Sequence, residues 1–130
     1  MDAFILTTFV FFTTNTLGQA MAAFFDNHST AWTELGEGIR RKIVGHTPEL
    51  MSVLVQFDNG AIGTAHAHEA HDQIAFVVAG SFEVEVEGVN RTLTAGDAFI
   101  VPKGHWHGVV ALAQGSMLLD QFSPRRDDFL

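Results

Sequence analysis

Five of the chain's seven histidines lie between His66 and His107, at spacings typical of a metal site. His66 and His68 are two residues apart, and residues two apart on a strand point to the same side of a sheet. Gln73 opens the apolar run that follows, and His107 follows a Gly/Pro turn. Three neutral imidazoles and one amide oxygen suit a divalent transition metal such as nickel, zinc, iron or manganese. The spacing therefore predicts metal binding by His66, His68, Gln73 and His107.

The elements that would position these residues are β-strands. From Gly38 onward, short runs rich in Val, Ile and Phe alternate with Gly, Asn, Asp and Pro, and no stretch after residue 25 has helical periodicity. Residues 82–87 alternate apolar residues with glutamates, which predicts one buried and one solvated face. Residues 73–79 are almost continuously apolar, which predicts a strand buried on both faces. Many short strands at close turn spacing predict an all-β sandwich or barrel.

Two glycine-anchored segments carry a family resemblance. The first reads Gly60, five residues, His66-Ala67-His68, four residues, Gln73, six residues, Gly80; the second reads Gly96, five residues, Pro102-Lys103-Gly104, two residues, His107. They resemble the paired motifs of the cupin superfamily, G-x5-H-x-H-x3,4-E-x6-G and G-x5-P-x-G-x2-H, with Gln73 where most cupins carry Glu. This resemblance implies a double-stranded β-helix, or jelly-roll barrel, with the histidines pointing inward.

Further features make the chain similar to the KdgF group of small cupins. They are the Gln73 departure, residues 32–41 (WTELGEGIRR) and residues 123–130 (SPRRDDFL). The KdgF resemblance implies a homodimeric, metal-dependent, isomerase-type enzyme of pectin or alginate breakdown. Its substrates would be unsaturated monouronates, which it would convert to linear keto forms by ring opening and ketonisation.

The Gln73 amide bears on the chemistry of the predicted site. A glutamate would contribute one negative charge, whereas an amide leaves the metal its full charge and makes it a stronger Lewis acid. Neutral ligands also stabilise higher-valent iron less, which disfavours a cupin dioxygenase as the rival function. A degenerate site of low metal affinity and a non-catalytic uronate-binding cupin are also compatible with the pattern. We expect His71 and His105 to lie beside the ligands rather than among them.

The C-terminal strand supplies acid–base and anion-binding candidates. The run from Ser116 to Phe122 would deliver Asp120 and Phe122 to one face, and a carboxyl group in an apolar pocket near a cation can act as a general acid or base. Arg126 offers a planar fork for a substrate carboxylate. The Asp-x-Phe-x3-Arg pattern of the KdgF group implies catalytic roles for Asp120, Phe122 and Arg126.

The remaining basic residues allow more than one interpretation. Arg125 precedes Arg126, so either could contact substrate, or the pair could end a solvated strand and form a salt bridge to the acidic pair that follows. Residues 40–42 (Arg-Arg-Lys) form a second basic cluster, in which alternation puts Arg41 opposite its two neighbours. We predict a solvated or subunit-contacting strand there, from which one member could reach the pocket.

Length and composition fit one cupin domain, predicted over residues 26–130. The chain is 47% hydrophobic and 17% charged, so it can form a core. The formal net charge of −8 argues against nucleic acid and anionic membranes as partners, and an anionic substrate would need a local basic group or the metal. The chain has no cysteine, so thiolate ligands are excluded, and we predict a cytoplasmic location.

Residues 1–25 form an apolar N-terminal extension of poorly defined status. They hold six of the twelve phenylalanines and no Lys or Arg, and the run Phe4–Phe12 is too short to span a bilayer. One interpretation is an extension ahead of a natural start at Met21. A second is an export segment, with residues 18–20 (Gly-Gln-Ala) as a small-x-small cleavage site, and a third is an additional packed element.

Overall fold

The computed structural model describes residues 23–130. Most of the predicted N-terminal extension lies outside the described residues, and the predicted division after residue 25 stays a prediction. Ala31–Leu130 form one compact unit, and residues 23–30 lie outside it. In those eight residues the Asp26 carbonyl oxygen accepts hydrogen bonds from the Ser29 and Thr30 hydroxyls. No helix within residues 23–130 has the length and apolar character needed to cross a membrane.

Residues 31–130 are built from ten β-strands and one short 3-10 helix at the C-terminal end. The strands are β1 (Thr33–Gly36), β2 (Ile39–Thr47), β3 (Leu50–Phe57), β4 (Ile62–His66), β5 (Asp72–Ala79), β6 (Ser81–Val86), β7 (Val89–Thr94), β8 (Ala98–Val101), β9 (His107–Ala111) and β10 (Ser116–Ser123), and the 3-10 helix is Asp127–Phe129. The all-β prediction is confirmed, and the Gly, Asn and Pro punctuation of the sequence marks most of the turns.

The strands form two antiparallel sheets, with the orders β1-β2-β3-β10-β5-β8 and β4-β9-β6-β7. Their facing sides share one apolar core, to which both sheets contribute alternate residues. Phe57 of the first sheet meets Phe82 of the second edge to face, with ring centroids 5.1 Å apart. This arrangement is the predicted jelly-roll barrel. Strand β6 alternates as predicted, with Phe82 and Val84 buried.

The prediction that β5 is buried on both faces is wrong. Ala75 and Val77 are fully buried, but the residues between them alternate to the outside. The outer face of β5 and its neighbour β8 carries large apolar side chains that are 41% to 65% exposed: Ile74, Phe76, Val78 and Ile100. An unbroken apolar run indicates only that neither face of the strand is polar. Which face is covered depends on how the two sheets pack.

One end of the barrel brings together the residues predicted to do chemistry. His66 ends β4, His107 begins β9, and the two face each other in the strand register. Gln73 is the second residue of β5 and lies opposite Phe122 of β10. The turn before β9 is tied to this end because the Gly104 N–H donates to the His68 carbonyl oxygen, at 2.8 Å. Gly104 has φ +78, a conformation that favours glycine.

Candidate active site

The three histidines predicted as ligands form one cluster. One ring nitrogen from each of His66, His68 and His107 lies within 4.8 Å of the other two. The Nε2 atoms of His66 and His68 are 3.1 Å apart, which is close enough for both to bind a single ion. β4 ends at His66, so His68 belongs to the following turn, and the assumption that both lie on one strand is wrong in this detail.

Backbone carbonyls orient two of the three rings. His66 donates from Nδ1 to the carbonyl oxygen of Thr64 at 2.6 Å, and His107 donates from Nδ1 to that of His105 at 3.2 Å. A ring that carries its proton on Nδ1 keeps the Nε2 lone pair free for a metal. His105 therefore supports the cluster through its backbone, beside the ligands, as predicted.

Burial also favours the neutral form of two of the rings, His68 and His107. Burial lowers the pKa of His68 to about 4, with further lowering by the Arg126 cation and the neighbouring histidines. Burial likewise lowers the pKa of His107, although its bond to the His105 carbonyl opposes the shift. Neutral imidazole is the form that binds metals, so these shifts prepare both rings for coordination at neutral pH.

Gln73 is the fourth predicted ligand and is 5% exposed. Its side-chain Nε2 donates to Oδ1 of Asp120 at 3.1 Å, whereas its Oε1 is buried without a hydrogen-bond partner in the described part of the chain. A buried polar atom left unpaired typically costs about 1–3 kcal/mol. An amide oxygen beside three imidazoles is a donor that a divalent first-row metal accepts. The residues present thus fit a metal of this class.

Asp120 lies on β10, which pairs with β3 on one side and β5 on the other. The residue is partly accessible through the cavity, but protein atoms surround its carboxyl group. Burial raises the pKa of Asp120 to about 7, although the Gln73 hydrogen bond and the Arg126 cation act in the opposite direction. A carboxyl group with a pKa near neutrality can both accept and donate a proton.

Arg126 connects the cluster to the C-terminal segment. Its Nη1 lies 3.3 Å from Nδ1 of His68, while Nε and Nη2 donate to the two carboxylate oxygens of Asp128 at 3.0 and 2.8 Å. This pairing lowers the pKa of Asp128. The salt bridge to the acidic pair, which the sequence left open, therefore exists, and it occupies one edge of the guanidinium.

The Arg125 side chain lies outside the histidine cluster. Its guanidinium donates to Asp127 at 2.7 Å and contacts the His46 ring, and its carbonyl oxygen lies 3.2 Å from Nε2 of His71. Of the two adjacent arginines, Arg126 lines the cavity and Arg125 does not.

A cavity of about 220 Å³ joins these groups. All seven residues predicted for the site line it: His66, His68, Gln73, His107, Asp120, Phe122 and Arg126. The Phe122 ring meets His68 edge to face at 5.6 Å, so the histidine cluster has an apolar wall on that side. The cavity can hold a small polar molecule in contact with the imidazoles, a protonatable carboxyl group and a guanidinium.

Comparisons with known proteins agree with this architecture. The cupin domain model matches residues 53–119. The pectin degradation protein KdgF of Dickeya dadantii is 54% identical over 110 residues, which cover 85% of this chain and 100% of that protein. The chain belongs to the KdgF family of cupins. The structure of KdgF from a Halomonas species is 58% identical, with a TM-score of 0.82 over 82% of this chain and 97% of that one. An RmlC-like cupin from Shewanella frigidimarina is 45% identical, with a TM-score of 0.78 over 82% and 95%.

In this KdgF-family chain, the cavity wall includes the one member of the basic cluster at residues 40–42 that reaches it, Arg41, and an aromatic residue that was not predicted, Phe129. Arg41 lines the cavity from β2, and Phe129 lines it from the 3-10 helix. The Arg41 guanidinium lies 3.8 Å from the centroid of the Phe129 ring, and that of Arg126 lies 4.3 Å from it. The alternation of residues 39–41 carried a signal, because Ile39 and Arg41 share a face and Ile39 also lines the cavity.

Proposed function

We propose that this protein is a metal-dependent, isomerase-type enzyme that opens the ring of unsaturated monouronates and converts them to linear keto forms. The observation that carries the proposal is the Asp120 carboxyl group, with its pKa raised to about 7, in the same cavity as the cluster of His66, His68 and His107. The relationship to a pectin degradation protein supplies the substrate class, since pectin is a polymer of uronates.

His66, His68, His107 and the Oε1 atom of Gln73 would hold a divalent metal, with nickel, zinc, iron and manganese as candidates. When bound, such a metal supplies a Lewis acid that polarises a sugar oxygen. The four donors carry no charge, so they leave that Lewis acidity undiminished. The Gln73 amide also donates a hydrogen bond to Asp120. The position of the Asp120 carboxyl group is therefore coupled to that of the proposed metal ligand Gln73.

The proposed reaction transfers, in net terms, one proton from oxygen to carbon and needs no oxidant or reductant. The hydroxyl of the cyclic hemiacetal loses its proton as the ring carbon–oxygen bond breaks, and the former ring oxygen takes up a proton, which leaves an aldehyde and an enol. The enol becomes a ketone when its hydroxyl proton is lost and the carbon at the other end of the enol double bond gains a proton. Asp120 accepts the proton from oxygen and returns a proton to carbon, and its pKa near neutrality suits both steps.

Phe122 and Arg126 complete the proposed catalytic group. The Phe122 ring packs against His68 and keeps that side of the cavity dry. Arg126 presents Nη1 toward His68 and places a fixed positive charge near Asp120, which favours the ionised carboxylate during proton transfer. Removal of water makes such interactions stronger than they are in bulk solvent.

The test is turnover of an unsaturated monouronate by metal-loaded protein, followed by NMR of the sugar. We expect ring opening with no oxygen consumption, and Asp120→Asn should lower kcat on the order of 10²–10⁴-fold with metal content unchanged. His107→Ala should lose most of its metal by elemental analysis. Oxygen consumption coupled to sugar loss would indicate a dioxygenase, and tight binding without turnover would indicate a sugar-binding cupin; either result would overturn the proposal.

We also propose that the protein is a homodimer formed through the outer face of β5 and β8. Ile74 and Ile100 are neighbours in the register, and with Phe76 and Val78 they expose a continuous apolar surface at one edge of the sheet. A second copy provides an identical apolar surface, as a two-fold interface requires. Light scattering should give twice the mass of the 14.2 kDa chain, and Phe76→Asp should give the single mass. The cytoplasmic location stays a prediction.

A further inference from the structure

Arg41 is a cavity residue to which neither the sequence pattern nor the proposed mechanism gives a role. It is half-buried on the inward face of β2, opposite Val55 of β3. Within residues 23–130 its guanidinium contacts the face of the Phe129 ring and has no carboxylate or carbonyl acceptor. By contrast, its neighbour Arg40 bonds Gln56 at 2.8 Å and lies within 4 Å of acidic groups outside the cavity.

Two guanidinium groups therefore lie against one aromatic ring. Arg41 and Arg126 are 3.8 and 4.3 Å from the Phe129 centroid, measured from each guanidinium carbon. Burial and the Arg126 cation lower the pKa of Arg41, so both disfavour its charged form. Asp128 offsets part of that charge, but its two oxygens are engaged by Arg126. An anion in the cavity would relieve the repulsion between the two cations.

The two arginines differ in which of their guanidinium N–H groups remain available to a ligand. Arg126 uses Nε and Nη2 for Asp128, so the edge that would grip a carboxylate with two parallel hydrogen bonds is occupied. The equivalent edge of Arg41 is free among the described residues. The Phe129 ring also packs against the Arg41 guanidinium before any ligand binds, and a side chain that is already packed loses less entropy on binding.

We infer that Arg41 binds the substrate carboxylate and thereby sets the preference for uronates over neutral sugars. Arg126 then acts beside His68 and Asp120, where the ring opens, and does not grip the carboxylate. This inference rests on the proposed function for its substrate class. It separates a residue that recognises the acid group from the residues that move protons.

The test compares an unsaturated monouronate with its methyl ester, which has the same ring but no negative charge. For Arg41→Met we expect kcat/KM on the acid to fall on the order of 10- to 100-fold, mainly through KM, because charge-assisted bonds to the carboxylate are lost. The ester should be converted at an unchanged rate. Arg40→Met, one residue away on the opposite face, is the matched control and should leave the acid-to-ester ratio as it is in the wild type.

A second variant keeps the test decisive if Arg41→Met folds poorly. Arg41→Lys retains the charge and the aliphatic stem but not the fork, so we expect an acid-to-ester ratio between those of the wild type and Arg41→Met. An equal loss on acid and ester in either variant would show that Arg41 only supports Phe129, and the inference would be overturned. An unchanged ratio in both variants would overturn it as well.

Binding separates this inference from the proposed function. Galacturonate and its methyl ester, neither of which carries the ring double bond, can be titrated into metal-loaded protein by calorimetry. If the wild type turns nothing over but binds the acid more tightly than the ester, and Arg41→Met removes that difference, the proposed reaction is wrong and the role of Arg41 stands. If the wild type binds both equally or binds neither, the inference is overturned.

Discussion

Gln73 is the residue whose replacement most directly tests the charge of the proposed metal site. Its buried Oε1 has no hydrogen-bond partner among the described residues, and its Nε2 donates a hydrogen bond to Asp120. In Gln73→Glu we expect metal binding to tighten by roughly tenfold or more, because an anionic oxygen attracts the cation more strongly. We expect turnover to fall, because the same charge reduces the Lewis acidity of the ion. Chelator competition and sugar NMR measure the two effects.

The control for this change is Gln121→Glu, which adds the same charge to β10 outside the cavity. It should alter neither the metal affinity nor the turnover. Tighter metal binding with undiminished turnover in Gln73→Glu would show that the amide is incidental to catalysis.

Asp120 should make the metal-free protein less stable as the pH rises. Its pKa in the folded protein is about 7, above the ordinary value of 3.8, so the folded state binds the proton more tightly than the unfolded state. The free energy of unfolding therefore falls as the pH increases from about 4 to about 7. Asp120→Asn lacks this loss and keeps an acceptor for the Gln73 amide. At about 1.4 kcal/mol per pH unit, the variant should gain at most about 4 kcal/mol at pH 8.

Urea unfolding of both metal-free proteins across this pH range provides the measurement. The two stabilities should converge below about pH 4, where the carboxyl group is protonated in the folded and unfolded states alike. A difference that stays constant with pH would mean that Asp120 does not change its ionisation on folding.

At the scale of elements, the 3-10 helix Asp127–Phe129 completes the cavity wall that the barrel begins. Phe129 packs edge to face against Phe122 at 5.9 Å and lies under both cavity arginines. We expect Phe129→Ala to raise KM for the uronate by about tenfold, since each cation–ring contact is typically worth about 0.5–1 kcal/mol or more and both guanidiniums lose their support. Steady-state kinetics measure this change.

Leu130→Ala is the control for the 3-10 helix, because Leu130 is the adjacent apolar residue, is 59% exposed and does not line the cavity. It should leave KM unaltered. Circular dichroism should show an intact barrel in both variants, since the core shared by the two sheets includes neither residue and, of the apolar clusters, Phe129 packs only against the smaller one of Met51, Val53 and Phe122. A normal KM in Phe129→Ala would mean that the arginines keep their positions without the ring.

At the scale of the whole molecule, all residues proposed for the site lie in the unit Ala31–Leu130. Deletion of residues 1–20 should therefore leave the fold, metal content and turnover intact. The measurements are circular dichroism, elemental analysis and the NMR assay on the shortened and full-length proteins. Aggregation of the shortened protein would mean that the N-terminal phenylalanines cover apolar surface of the barrel or of a second copy.

The fold class and the members of the histidine cluster could be predicted from the amino-acid sequence. Both follow from local rules: the two-residue period of a strand identifies β6, and glycines such as Gly104 mark turns whose backbone favours glycine. The spacing of His66, His68 and His107 between such turns was enough to predict that their rings meet. Strand periodicity, turn glycines and histidine spacing can be read from the sequence because they do not depend on how the strands pack.

The contacts of each polar group depend on the tertiary structure and could not be predicted. Gln73 and Asp120 are 47 residues apart in the chain, and only the pairing of β5 with β10 joins them and raises the pKa of the carboxyl group through burial. The same holds for the guanidinium edge of Arg126 that binds Asp128 and for the edge of Arg41 that has no hydrogen-bond partner within residues 23–130. Desolvation and hydrogen-bond competition depend on all the atoms around a group, and strands distant in sequence bring those atoms together.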